Sequence, residues 1–115
     1  MGLAQRLVEL HAERIDSARV LMDFRRSAVL VPMQDGEPLA GEFGGIEWLF
    51  AFSGVEALDR YVQTRGLIAE VPYLTVYGWR LLDVAVPALG VPAGVAVDVA
   101  GPAPFLVPPA GVDRG

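Results

Sequence analysis

Residues 44–66 read GGIEWLFAFSGVEALDRYVQTRG, and the order of residue types in this stretch decides the kind of fold. A glycine pair opens it. Ile46 to Phe52 follows, apolar at every position but Glu47. A short, nearly continuous apolar run bounded by Gly-Gly and Ser-Gly predicts a strand buried on both faces. Ser53 stands three residues before Glu56, the spacing of a capping box, in which the hydroxyl and the carboxylate each take a free amide of a helix start. Val55, Leu58 and Val62 then recur at helical spacing, with Glu56, Asp59, Arg60 and Gln63 elsewhere on the wheel. Glu56 and Arg60 are four apart in the favourable order. Gly66 supplies the left-handed residue that stops a helix. Strand followed by helix is half of a βαβ unit, so a layered α/β sheet is the expected container.

Outward from this unit, residues 3–24 predict one long amphipathic helix, with Leu3, Leu7, Leu10, Ala18 and Leu21 along one stripe. As a helix it would span ~33 Å, about the diameter of a small domain, so it either packs across the sheet or overhangs as a docking surface. Arg25, Arg26 and Ser27 end it. Ala28 to Met33 (AVLVPM) reads as a strand, with Pro32 marking its end or a sheet edge. Asp35-Gly36 is a strong hairpin signal. Leu39 to Phe43 forms the next strand, and the short connections make the first three strands antiparallel. Beyond the connector 67–72, Tyr73 to Tyr77 (YLTVY) is β-branched and aromatic, hence a strand. Trp79 to Val86 has apolar residues at 79, 82, 85 and 86, which predicts a short helix ending near Pro87, a strand being the competing reading. Gly90 to Gly94 is expected as a loop, Val95 to Val99 as a strand, GPAP at 101–104 as a turn, and 105–107 as a last strand. The fold expected is α/β (α+β): a mixed sheet of five to six strands packed with two to three helices. The organisation expected is a single domain, with an N-terminal helix over 1–24, a body over 25–109 and a fraying tail at 110–115.

Composition narrows the function classes. The 115 residues are 53% hydrophobic, enough for a real core, but no apolar run approaches the ~20 residues of a membrane span. Residues 1–24 carry charges throughout and lack the apolar centre of a signal peptide, so the cytoplasm is the expected compartment. The net charge is −5, which repels a nucleic-acid backbone. Acidic residues Glu9, Glu13 and Asp16 on the first helix argue against an anionic membrane surface. All nine basic residues are Arg, a bias that reads as genome composition.

Exclusions follow. Without Lys there is no P-loop lysine or Schiff base, and without Cys no thiol nucleophile. His11 is the single histidine; no partner lies at metal-ligand spacing, and a lone His on a charged helix is ordinarily solvated. Of three serines, Ser53 serves as a cap and no G-x-S-x-G elbow exists. The glycines at 36, 41, 44 and 45 do not form a phosphate-binding G-x-G-x-x-G. Carboxylates remain: Glu42 and Glu47 flank the central turn, and Asp83 and Asp98 sit in apolar surroundings, Asp98 being the least expected residue in its strand. Two such groups could share acid/base work or a divalent ion. The plainer expectation for Asp98 is a side chain in solvent or bonded to the GPAP turn amides. Trp48, Phe50, Tyr73, Tyr77 and Trp79 are core residues by spacing; any left exposed would be interface anchors.

The segments AVLVPM, WLFAFSGVEALDRY, GWRLLDVAVPALG and GVAVDVAGPAPFLVPP, together covering residues 24–109, resemble the SseB N-terminal domain family, whose namesake is the bacterial enhanced serine sensitivity protein. One departure is Val97-Asp98-Val99-Ala100, where many members carry an Asn-Pro-Gly-like turn. The resemblance implies a bacterial α/β domain with no family catalytic residues to carry over. Taken together, the leading expectation is no enzyme but a protein-interaction or regulatory module. It would need no cofactor and no metal, and would bind a protein partner or itself, as a homodimer through the N-terminal helix or an edge strand. The candidate site residues are Glu42, Glu47, Trp48, Trp79, Asp83 and Asp98. The alternative is a small-molecule-binding or carboxylate-based enzyme domain centred on Glu42, Glu47, Asp83 and Asp98.

Overall fold

A computed structural model describes residues 2–11, 17–66 and 71–109; the side chains of residues 6, 9–11 and 17 also lie outside the described set. Two helices, α1 (Leu3–His11) and α2 (Ser17–Arg26), occupy the region where one was expected. They pack against each other, which a single straight helix cannot do. Residues 12–16 between them, the first part of the 67–72 connector and the tail 110–115 fall outside the described residues, as does the His11 side chain.

β1 (Ala28–Gln34) turns through Asp35-Gly36 into β2 (Glu37–Pro38). Both turn residues have positive φ, 54° and 82°, as a two-residue type I′ hairpin demands. β3 (Ala40–Phe43) turns through Gly44-Gly45, again both positive, into β4 (Ile46–Ala51). Helix α3 (Val55–Thr64) follows and stops at Gly66, φ +71°. β5 (Tyr73–Tyr77) leads into a helical segment, 78–88, made of α4 (Gly78–Arg80), a π turn (Leu81–Ala85) and α5 (Val86–Ala88). The wide turn stands just before Pro87, whose missing N–H could not continue an ordinary helical ladder. β6 (Ala93–Val97) and β7 (Phe105–Val107) complete the chain.

The strands form two sheets, ordered β2-β1-β5 and β3-β4-β6-β7. All pairs are antiparallel except β4 with β6, the parallel centre. The sheets are seven strands in place of the five or six expected because the predicted strand 39–43 begins at residue 37 and changes partner at Leu39. Its N–H donates to Pro32 (2.8 Å) and its carbonyl accepts from the Phe50 N–H (3.3 Å). Beyond that point β1 and the chain leaving β4 converge and bond directly through Leu30 and Phe52 (2.8 and 2.9 Å). Pro32 is therefore not at a strand end or sheet edge. It lies fully buried within β1, and its ring nitrogen faces the Leu39 wedge, where only the carbonyl is used.

Side-chain alternation sorts the core into two layers. Val29, Val31, Leu49, Ala51, Val95 and Val97 face one way, against Leu3 and Leu7 of α1, Val20 and Phe24 of α2, and Leu81. Leu30 and Phe52 face the other way, against Leu58 and Tyr61 of α3. The Phe52 and Tyr61 rings meet at 5.2 Å, tilted by 44°, in the range aromatic pairs prefer. Gly78 sits where β5 runs into the helical segment. Its amide donates to the Ser27 carbonyl (2.9 Å), and a Cβ there would overlap the Phe24 carbonyl. Glycine is thus required by close approach of two backbones.

Two further sequence expectations are corrected. β6 runs from Ala93 to Val97, not from 95 to 99, so the last two residues of the expected 90–94 loop are strand and Asp98 and Val99 lie beyond its end; Gly94 fits because the Trp48 ring and the Val107 carbonyl occupy the space of a side chain. The capping box does not form. The N-cap of α3 is Gly54, with no side-chain cap, and Ser53 bonds to Asp98 instead.

Candidate functional site

β5 is an edge strand, paired only with β1 among the described residues. In the register Ala28 opposite Tyr77 through Pro32 opposite Tyr73, Leu30 spends its own backbone groups on Phe52. The bonds between β1 and β5 must therefore fall at Val29 and Val31. The flanking bonds agree: Met33 N–H to Pro72 (2.8 Å) and Gly78 N–H to Ser27 (2.9 Å). Leu74 and Val76 consequently point their backbone groups inward. Tyr73, Thr75 and Tyr77 present theirs to the open edge. Their side chains are exposed too, Tyr73 by 43% and Tyr77 by 54%, on the face opposite to Leu74, which is itself 53% exposed. Trp79 (39% exposed) follows directly, and Met22, Arg25, Arg26, Tyr77 and Trp79 line a shallow groove of about 380 Å³. Tyr73, Tyr77 and Trp79 are thus not core residues. Spacing misplaced them because alternation cannot tell a half-buried strand from one at an edge.

A second concavity, about 510 Å³, lies beyond the carboxyl ends of the parallel pair β4 and β6, the place where open α/β sheets gather ligand sites. Its walls include Leu7 and Val8 of α1, Gly54 and Glu56 at the start of α3, Arg60 and Asp98. Asp98 is only 7% exposed and adopts a positive φ of 53°, a conformation Asp tolerates better than most residues. Its Oδ1 accepts from the Ser53 N–H (2.8 Å) and its Oδ2 from the Ser53 hydroxyl (2.6 Å). The carboxylate is neither in solvent nor on the GPAP amides; only its backbone carbonyl takes a turn amide, from Gly101 (3.0 Å). Its negative charge stands at the amino end of α3, the favourable end of the helix dipole.

The remaining candidates are scattered. Glu42 and Glu47 are directly opposite on β3 and β4. Trp48 beside them donates its Nε1–H to the Phe43 carbonyl (3.3 Å) and helps line a groove of about 310 Å³ with Glu42 and the exposed Phe43 and Leu106. Glu47 pairs with Ala93 at the start of β6, whereas Asp98 follows its end. At ~3.3 Å per strand residue the two are separated by roughly 16 Å along the strand. Asp83 lies on the π turn and forms a two-pronged pair with Arg25 (2.7 and 3.1 Å). Hydrogen bonding to Arg25 holds the Asp83 carboxyl below its usual range, and the same bonds raise Arg25. Among the described residues no three His, Cys, Asp or Glu side chains gather where they could hold a metal ion, and no helix is long and apolar enough to cross a membrane. The Ser53–Asp98 pair and the Leu74 edge escaped sequence reasoning. The first joins positions 45 apart, and the second had only the YLTVY composition as a signal.

The family model of the SseB protein N-terminal domain matches residues 3–114. The chain belongs to the SseB N-terminal domain family. The match is wider than the segments 24–109 on which the resemblance stood, so α1 and α2 are part of the SseB domain. No curated protein and no solved structure matches this SseB chain.

Proposed function

We propose that this SseB domain is a non-enzymatic protein-interaction module, and that its docking surface is the open edge of β5 with the adjoining Tyr77, Trp79 and Met22 ledge. The observation that carries the reading is the state of that edge: five residues without charge, proline or bulge, with three sets of backbone groups turned outward. Proteins usually blunt such edges because they invite another strand. Exposed aromatics beside it are the residue types that anchor interfaces. The setting we propose is the bacterial cytoplasm, after the family's bacterial namesake. The net charge of −5 disfavours a nucleic-acid partner, and the partner class is protein.

The alternative, a small-molecule-binding or carboxylate-based enzyme domain, has one observation in its favour, the groove at the carboxyl ends of β4 and β6. Of its four carboxylates only Asp98 lines that groove, and both Asp98 oxygens are taken by Ser53.

Photo-crosslinking in cells tests the docking surface. A benzoylphenylalanine at Tyr73, Tyr77 or Trp79 should give discrete protein adducts, whereas one at Gln63, exposed on α3, should not. Absence of adducts from all three β5-side positions would overturn the reading.

A further inference from the structure

The β5 sequence is its own mirror in residue class: Tyr73, Leu74, Thr75, Val76, Tyr77 run aromatic, aliphatic, hydroxyl, aliphatic, aromatic in either direction. We propose that the partner of this edge is a second copy of the chain, joined by antiparallel pairing of β5 with β5 about a two-fold axis through Thr75. The proposal deepens the interaction reading above and rests on it.

Geometry selects this register. The residues whose backbone groups face outward are 73, 75 and 77, a set symmetric about 75. An antiparallel ladder exchanges both bonds at every second residue, so Thr75 meets Thr75 of the second copy and Tyr73 meets Tyr77, with six backbone hydrogen bonds in all. A shift by two residues leaves one Tyr unmatched on each strand, and a shift by one turns inward-facing groups toward the partner. In the symmetric register Leu74 lies opposite Val76 on the helix-covered face, which covers the exposed Leu74 side chain. On the other face two Tyr–Tyr pairs flank the threonines, a cross-strand arrangement that stabilises sheets. The contact is isologous and closes after two copies. It makes one six-stranded sheet, β2-β1-β5-β5-β1-β2.

The other edges are unsuited to this. β2 has two residues, one of them Pro38. β3 carries Glu42 and continues into a glycine turn. β7 has three residues between Pro104 and Pro108-Pro109. Charge, proline and shortness are the usual means of keeping edges apart, and β5 lacks all three. Although each copy carries net charge −5, β5 contributes none of it; Arg25 and Arg26 lie beside its Tyr77 end, and Arg80 lies on the helix-covered face near Leu74 and Val76.

The test uses the intact chain. Sedimentation velocity across a wide concentration range should show a monomer–dimer equilibrium. Thr75→Pro removes an outward N–H without touching the bonds to β1, and both Thr75 donors vanish together in the dimer. Self-association should weaken about thirtyfold, with far-UV circular dichroism unchanged. Thr75→Cys offers a second readout in a chain that has no cysteine. Opposed Cα atoms of a bonded antiparallel pair lie ~5.5 Å apart, within disulfide reach, so mild oxidation should give a covalent dimer, and Gln63→Cys should not. A chain that stays monomeric at every concentration, with no disulfide-linked Thr75→Cys dimer, overturns the proposal. If photo-adducts from β5 then contain a different protein, the docking surface stands and the second copy is wrong; if there are none, both fall.

Discussion

Replacing Asp98 by alanine should be among the costliest single changes outside the apolar core. The carboxylate accepts the Ser53 N–H at 2.8 Å and its hydroxyl at 2.6 Å, and hydrogen bonds to a charged group contribute ~1.5–3 kcal/mol each. Ser53 is partly buried, so water recovers part of what its amide loses, and removing Asp98 also relieves the desolvation of a charge. The lower end of the range is appropriate, ~3 kcal/mol for the two bonds. Alanine at φ 53° adds ~1 kcal/mol of backbone strain that Asp bears more easily, giving a total of ~4 kcal/mol. For a domain of this size that corresponds to a fall in Tm of roughly 15 °C, a large part of a stability of about 5–15 kcal/mol. Asp98→Asn is the control. Its Oδ1 still accepts the Ser53 amide, its NH2 can donate to a rotated hydroxyl, and Asn tolerates the left-handed conformation, so the cost should be ~1 kcal/mol. Equilibrium urea denaturation followed by Trp fluorescence, with slopes compared, gives both numbers. Equal losses for the two variants, or a loss below ~1 kcal/mol for alanine, would refute the role assigned to this pair.

Two further outcomes are expected, beside those given for the β5 edge. Gly78→Ala forces a methyl into the Phe24 carbonyl, so α2 and the start of 78–88 must move apart, at a cost of ~1–3 kcal/mol; a thermal melt within a degree of the parent would show that the approach is not required. Asp83 should titrate below an ordinary aspartate in a carboxyl NMR titration, because Arg25 hydrogen-bonds its charged form, and Arg25→Gln should raise it. Its folded value is the depressed one, so whatever stability the pair adds is present above the unfolded aspartate value and fades as acid carries the pH through the folded value. Both side chains are about half exposed, so added salt should shrink the shift.

Local chemistry made much of this fold legible in the sequence. Asp35-Gly36 and Gly44-Gly45 announce turns that need positive φ, and Gly66 a helix stop. YLTVY carries its strand in β-branched and aromatic residues. What stayed hidden depends on residues far apart in the chain. Ser53 had an apparent partner three residues away, yet its hydroxyl is held by Asp98, and nothing within a local window could disclose that. Gly94 looked like loop because a strand glycine is explicable only once the Trp48 ring is known to lie over it. The single helix expected for 3–24 is two because apolar periodicity by itself does not mark where one helix ends and the next begins. For the site, chemistry-bearing residue types were the wrong signal. Glu42, Glu47, Asp83 and Asp98 drew notice by charge, whereas the edge that is open to a partner is defined by topology, which only the pairing of β1 with both β5 and Phe52 reveals.

The wedge at Leu39 has a consequence of its own. Among the described residues the two sheets are linked by one direct bridge, Leu30 to Phe52, and one indirect, through Leu39. The 37–43 segment therefore acts as the slider of a zip: peeling it back frees backbone groups on both halves at once and opens a seam beside Pro32 and Phe50. Slow breathing of the domain should start along that line, with the amide of Leu39 exchanging before those of the parallel centre.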